Sequence, residues 1–273
     1  MYAVNARQYT DIHGHYLNFG LWENGNTHYI QAAENLIYRL GAWLDLKPGN
    51  RLLDVACGWG AQDFFIEREF GPLRIDAIDV TWPHILWAKK AARAKKLNEV
   101  IQFKHGSATR LQFVESTFNQ VLCIEGSVHF ETRDRFFEEA FRVLKPRGRI
   151  ALADYVLKRM PANRVEKSVL RAVLALWKIP ASNAVTVQGY RQSLEKAGFD
   201  DVWIEEVGEK TIPGYYYEQR RPRFRLHKIR TQGLAVGAMS FVLDLACFEA
   251  YRRGLIDYVL VSARKPDSGV RYG

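Results

Sequence analysis

The chain has 273 residues, 48% hydrophobic and 25% charged, with a formal net charge of +9. A single core runs to about 250 residues, so this length predicts one domain over 1–273 with some elaboration, and no early module separates from it. No stretch reaches the roughly 18 uninterrupted apolar residues of a membrane span, the amino end lacks an apolar signal core, and Cys57, Cys123 and Cys247 read as buried thiols, so a cytoplasmic protein without a disulfide or metal framework is expected.

After a polar and aromatic amino-terminal stretch, the first strand is predicted at 51–56 and runs through Leu52-Leu53-Asp54-Val55-Ala56-Cys57-Gly58-Trp59-Gly60 into a helix from about Ala61. An apolar strand, a small-residue turn and a helix start make a nucleotide-binding corner, because glycines allow close backbone approach and the helix offers free N–H groups. Asp79 closes the second strand, 73–79, at roughly the interval of about 20 residues at which an acid takes ribose hydroxyls. A dinucleotide would need G-x-G-x-x-G for its pyrophosphate; here Asp63 falls at the last position of that pattern, where its charge would repel phosphate.

Thr81 and Pro83 open a helix whose Lys89, Lys90, Arg93, Lys95 and Lys96 read as a solvated face. Strands follow at 100–104, 119–124 and 149–155, then 201–207 and 255–263, with a helix opened by Thr186 and closed by Gly198 before the sixth. The alternation predicts an α/β fold with a mostly parallel sheet covered on both faces, and ligands over the carboxyl ends of the strands. Three segments exceed a minimal sheet and are expected as lid elements: about 1–30, 160–185 and 209–254. The last holds Tyr215, Tyr216, Tyr217, Phe224, Phe241, Phe248 and Tyr251, and the basic run Arg220, Arg221, Arg223, Arg225, Lys228 and Arg230. That run is a candidate contact for phosphate, carboxylate or anionic lipid, or a plain surface patch.

The motif Asp54-Val55-Ala56-Cys57-Gly58-Trp59-Gly60 resembles the glycine-rich motif of class I S-adenosylmethionine-dependent methyltransferases. The turn Arg142-Val143-Leu144-Lys145-Pro146-Arg147-Gly148 and the terminal run 255–266 are similar to that family's approach to its fifth strand and to its last, antiparallel strand. The resemblance covers about four-fifths of the chain. It implies a Rossmann-like seven-stranded sheet with S-adenosyl-L-methionine as cofactor. Tyr16-Leu17-Asn18-Phe19-Gly20-Leu21-Trp22 looks like the opening segment of members acting on lipids, sugars and natural products, in which a tyrosine, here Tyr16, closes over the methionine end.

Carried over by position, Asp54 sits near the ligand ammonium, while Ala56, Gly58, Trp59 and Gly60 pass beneath the methionine part. Asp79, with Val80 beside it, holds the ribose; His84 stands where relatives carry Gln; and Ser107 and Ala108 border the adenine. Glu125, in Cys123-Ile124-Glu125-Gly126-Ser127, ends the fourth strand under the transferring methyl, and this loop lacks the Pro-Pro-aromatic pattern of amino-group methylation. His129 and Asp154 match the catalytic histidine and accompanying acid of sugar and natural-product O-methyltransferases, with Glu125 as a second base or cation-stabilising group.

Three function classes remain: a small-molecule methyltransferase with an aromatic-lined acceptor pocket, a nucleic-acid methyltransferase using the 220–230 run, and a catalytically silent relative that binds a partner. The first is expected, on a hydrophobic natural product, isoprenoid or fatty acyl acceptor, with O- and C-methylation open and an anionic group on the acceptor allowed. No nucleic-acid partner is expected; peripheral membrane contact and oligomerisation stay open.

Overall fold

Seven apolar runs pair into one sheet in the order β3-β2-β1-β4-β5-β7-β6 in the computed structural model, which describes residues 13–23, 25, 28–71 and 74–267. Residues 1–12, 24, 26 and 27 of the first expected lid element, and Leu73 at the start of the expected second strand, lie outside the described residues. The strands are β1 (Arg51–Val55), β2 (Arg74–Asp79), β3 (Ile101–His105), β4 (Phe118–Ile124), β5 (Leu144–Leu157), β6 (Asp200–Glu206) and β7 (Ile256–Arg264). Pairing is parallel from β3 to β5, with Asp54 beside Ala77 and Leu122, whereas β7 lies between β5 and β6 and runs against both.

Strand β5 begins earlier than its apolar run. Phe118 pairs with Leu144, the register then shifts, and regular pairing resumes at Gln120 with Arg149. Pro146, which has no N–H to give, and Gly148, where a side chain would collide with the Asn119 carbonyl, fall within that irregularity.

Nine helices of eight residues or more flank the sheet among the described residues: α1 (Tyr29–Trp43), α2 (Ala61–Phe70), α3 (Trp82–Ala94), α4 (Arg133–Val143), α5 (Arg164–Trp177), α6 (Val187–Lys196), α7 (Ile212–Gln219), α8 (Pro222–Gln232) and α9 (Leu234–Arg252). Helix α1 forms because Ala32, Ala33, Leu36, Ile37 and Leu40 recur at helical spacing and bury one stripe. With Phe65, Ile66, Ile85 and Ala88 of α2 and α3 it covers one face of the sheet. Phe136, Phe137, Ala140 and Val143 of α4, with Tyr190 and Leu194 of α6, cover the other. The Thr186 hydroxyl caps α6 by accepting from Gly189 N–H at 3.3 Å. Thr81 does not cap α3 with its side chain; Asp79 Oδ1 accepts the Thr81 N–H at 2.7 Å instead.

The two expected insertions are helical. Segment 160–185 contains α5, and 209–254 contains α7, α8 and α9, with α9 packed on α8, α7 and α5. No helix among the described residues is long and apolar enough to cross a membrane. Strand order reverses between β1 and β4, which opens the crevice above their carboxyl ends where ligands of doubly wound sheets sit.

Candidate active site

The corner above β1 is held by the backbone of β2 and by one carboxylate. Ala56 and Cys57 both donate their N–H to the Ile78 carbonyl, at 2.8 and 3.0 Å. Gly58 N–H donates to Asp79 Oδ2 at 3.0 Å, so the acid that ends β2 also fixes the turn that ends β1. Gly58 and Gly60 both have left-handed backbones, φ +55 and +77, and a side chain on Gly60 would overlap the Phe103 ring. Ala56 holds φ +67, a left-handed conformation that costs a non-glycine residue about 1–2 kcal/mol. Leu17 lies across the turn, its Cδ1 2.8 Å from where a Gly58 Cβ would stand.

The neighbouring groups gather round Asp79. His84 Nδ1 is 3.4 Å from Asp79 Oδ1, and its buried ring meets that of Trp59 edge-on. Gly106 N–H donates to the Asp79 carbonyl at 3.1 Å, and His105 Nε2 contacts the Val80 carbonyl at 2.9 Å. Exposed Ser107, its hydroxyl 3.1 Å from that of Thr109, and buried Ala108 are thereby carried to the same rim. Tyr16 is buried and its hydroxyl donates to Glu34 on α1 at 2.9 Å.

Beneath the turn, Asp63 is not the phosphate-repelling charge that its place in the pattern implied. Asp63 is fully buried under the corner and does not face the ligand side. Burial, reinforced by the Asp54 charge, pushes its carboxyl far above the ordinary range, so it holds a proton and donates it to Asp54. Asp54, also raised by burial, accepts from Gln62 Nε2 at 2.6 Å. A neutral inward-facing acid repels no phosphate. What disfavours a dinucleotide is the absence of the third glycine.

Past β4 the chain turns through Glu125, itself left-handed at φ +54. Its carboxylate accepts from Phe19 N–H at 2.6 Å and from the Tyr258 hydroxyl at 2.7 Å. Burial pushes it up to about 8, although both hydrogen bonds favour the ionised form. Phe19 stacks on Tyr215 at 3.9 Å and meets Tyr155 edge-on at 5.3 Å. Segment 16–22 thus reaches from the glycine turn to an aromatic cluster over Glu125.

Beyond that cluster lies a cavity of about 450 Å³ counting its mouth, bordered by Val128 of the β4 loop, Tyr155 and Leu157 of β5, Val173 and Trp177 of α5 and Cys247 of α9. Leu170, Val173, Leu174 and Trp177 of α5 form most of its wall, and of segment 209–254 Cys247 alone borders it among the described residues. Most of the lid aromatics pack elsewhere, Tyr216 flat on Phe248 at 4.0 Å and Phe224 against His13.

Asp154 is fully buried among Ser127, Tyr190 and Arg133. It accepts from the Ser127 hydroxyl and from the Tyr190 hydroxyl at 3.2 Å, and Arg133 Nη2 is 3.2 Å away. It acts on His129 by charge, while the carbonyls of Trp177 and Lys178 are the backbone partners that favour a protonated imidazole. Burial outweighs all of them and lowers the His129 pKa.

The 220–230 run is largely engaged within the protein. Arg221 and Arg223 pair with buried Glu218, Arg220 donates to the Tyr216 hydroxyl at 2.9 Å, and Lys228 pairs with Asp244 at 3.1 Å. No cluster of three or more metal-ligating side chains occurs among the described residues. Sequence reasoning missed Tyr155, Trp177 and Tyr258. The first and last stand in strands as ordinary apolar-pattern aromatics, and nothing local distinguishes them.

A family described as a methyltransferase domain matches residues 52–148. Erythromycin 3''-O-methyltransferase of Saccharopolyspora erythraea is 32% identical over 258 residues, covering 93% of this chain and 84% of its own length. The 27-O-demethylrifamycin SV methyltransferase of Amycolatopsis mediterranei is 28% identical over 97% of this chain and 96% of that protein. Among solved structures, the cyclase SpnF shares the fold with a TM-score of 0.78 at 24% identity, over 96% of this chain and 92% of that one.

Proposed function

This chain belongs to the class I S-adenosylmethionine-dependent methyltransferases that act on small molecules, and from that membership we propose that it methylates an apolar, uncharged acceptor held in the cavity beside Tyr155 and Trp177. The cavity carries the reading. No lysine or arginine lines it, and segment 16–22 connects it to the glycine turn. Three of the six cations in the basic run that an anionic acceptor or nucleic acid would require, Arg221, Arg223 and Lys228, are paired internally, which weighs against both.

The residues of the corner fit S-adenosylmethionine. Gly58 and Gly60 leave a surface without side chains, Asp79 keeps acceptor capacity beyond its two backbone partners for ribose hydroxyls, and Ser107 and Ala108 border the adenine side. Trp59, Val80 and His84 would flank the nucleoside, Tyr16 would close the methionine end, and Asp54 below Ala56 would favour the ammonium. When bound, the cofactor supplies an electrophilic methyl group on a sulfonium.

The chain's part is to align the acceptor, exclude water and manage one proton. Phe19, Tyr155, Tyr215 and Tyr258 screen the site from solvent. His129, kept neutral by burial, can take the proton of an acceptor hydroxyl at Nδ1, with Asp154 stabilising the imidazolium through charge. Glu125, protonated near neutrality, can donate to an acceptor oxygen and, once ionised, stabilise a cation.

Incubation of the protein with isotopically methyl-labelled S-adenosylmethionine and a metabolite extract tests this. The expected result is a neutral apolar product carrying the label. Labelled RNA or DNA, with salt-dependent affinity, would favour the nucleic-acid reading, and no transfer with intact binding would favour the silent one.

A further inference from the structure

The cavity contains two buried polar atoms that the reaction does not use. Tyr155 Oη and Trp177 Nε1 have no hydrogen-bond partner among the described residues, and both side chains line the same apolar hollow. Tyr155 is 8% exposed. Its ring meets that of Trp177 edge-on at 5.8 Å, from β5 and from the last residue of α5. The Asn183 amide in the lining is committed, donating to the Val128 and Phe130 carbonyls while its oxygen accepts from Arg133 N–H, and the Cys247 thiol is only a weak donor.

A buried hydroxyl without a partner costs about 1–3 kcal/mol, and phenylalanine would fill the same volume without that cost. The indole N–H is a donor only. The Tyr155 phenol is pushed up, by burial first and then by Glu125, so it keeps its proton and can donate at any working pH. Two neutral donors in an apolar hollow without a cation suit one kind of group, a neutral oxygen on a hydrophobic skeleton. A hydrocarbon leaves both donors unmade, and a carboxylate or diphosphate meets no counter-charge.

We infer that Tyr155 and Trp177 form a two-donor site that binds a ketone, ester or ether oxygen of the acceptor skeleton, distinct from the methylated atom, and that this site selects oxygenated acceptors over hydrocarbon ones. The inference rests on the cavity being the acceptor pocket. Its test is calorimetry on the protein saturated with S-adenosylhomocysteine, using cyclododecanone and its isostere methylenecyclododecane, in which a methylene group replaces the carbonyl oxygen.

The wild type is expected to bind the ketone about tenfold or more tightly than the alkene, and Tyr155→Phe and Trp177→Phe each to reduce that ketone-to-alkene ratio severalfold, any loss of packing area falling on both rings alike. The unliganded Tyr155→Phe protein should melt no lower than the wild type, because it loses an unpartnered hydroxyl; this separates a binding role from a structural one. Equal binding of the two rings by the wild type, or an undiminished ketone preference in both variants, overturns the inference while the pocket assignment stands. If neither ring binds, the cavity is not the acceptor site, and the inference falls with that part of the proposed function. Label transfer from S-adenosylmethionine then still decides the methyltransferase reading separately.

Discussion

The glycine corner and the cavity beside Tyr155 lie at the two ends of segment 16–22, yet they are built differently. In the corner the backbone is held by partners nearby in sequence or in the adjacent strand: Asp79 accepts from Gly58 and Thr81, and Ile78 accepts from Ala56 and Cys57. In the cavity, the walls come from β4, β5, α5 and α9, and Tyr155 and Trp177 keep polar atoms unpaired. A site for one invariant ligand can be closed by its own backbone. A hollow walled by remote helices can change its side chains without disturbing the corner.

Separation of the two regions is tested first by His129→Ala. If the acceptor is a hydroxyl, turnover should drop roughly a hundredfold or more with cofactor affinity nearly intact, since proton transfer helps only in the transition state. Steady-state kinetics together with cofactor titration provide the check, and full activity would place the base elsewhere.

The reciprocal change is Asp79→Ala, which should weaken cofactor binding by about 1.5 to 3 kcal/mol, the loss of a charge-assisted partner, and leave acceptor KM unaltered. Unchanged affinity by calorimetry would remove Asp79 from the ribose.

Gly214→Ala probes the link between them. A side chain there would overlap the Trp22 indole, which donates to the Phe19 carbonyl at 2.9 Å, so α7 and segment 16–22 must part. Stability should fall by about 1–3 kcal/mol, as for overpacking. Hydrogen exchange should quicken across 18–22 and stay slow in β1; uniform exchange across both would mean the regions do not separate.

A further test concerns pH. Glu125 is raised from 4.5 to about 8 in the folded protein, so its contribution to stability is complete below about 4.5 and is lost as pH rises through about 8. Denaturation midpoints between pH 5 and 9 should decline less steeply in Glu125→Gln. An identical slope in both proteins would show that Glu125 ionises normally.

Much of the corner was legible because its signals are local. An apolar run, left-handed turn residues and an acid at the next strand end each report on backbone that is close in sequence, and all seven strands fall where alternation put them, apart from the early start of β5. The charge state of Asp63 was not legible, because whether a carboxyl faces solvent or another buried carboxyl depends on how α2 settles on the sheet.

The amino-acid sequence by itself determined the sheet, its crevice and the glycine corner, since periodicity and turn chemistry act over a few residues, and its motifs carried the resemblance to the family. Tertiary structure alone decided that Arg221, Arg223 and Lys228 of the basic run pair with Glu218 and Asp244, that α5 rather than 209–254 forms most of the wall of the cavity, and that Tyr155 and Trp177 bring unpaired donors to one hollow. Burial and charge pairing depend on which distant segments meet, and no local pattern encodes that.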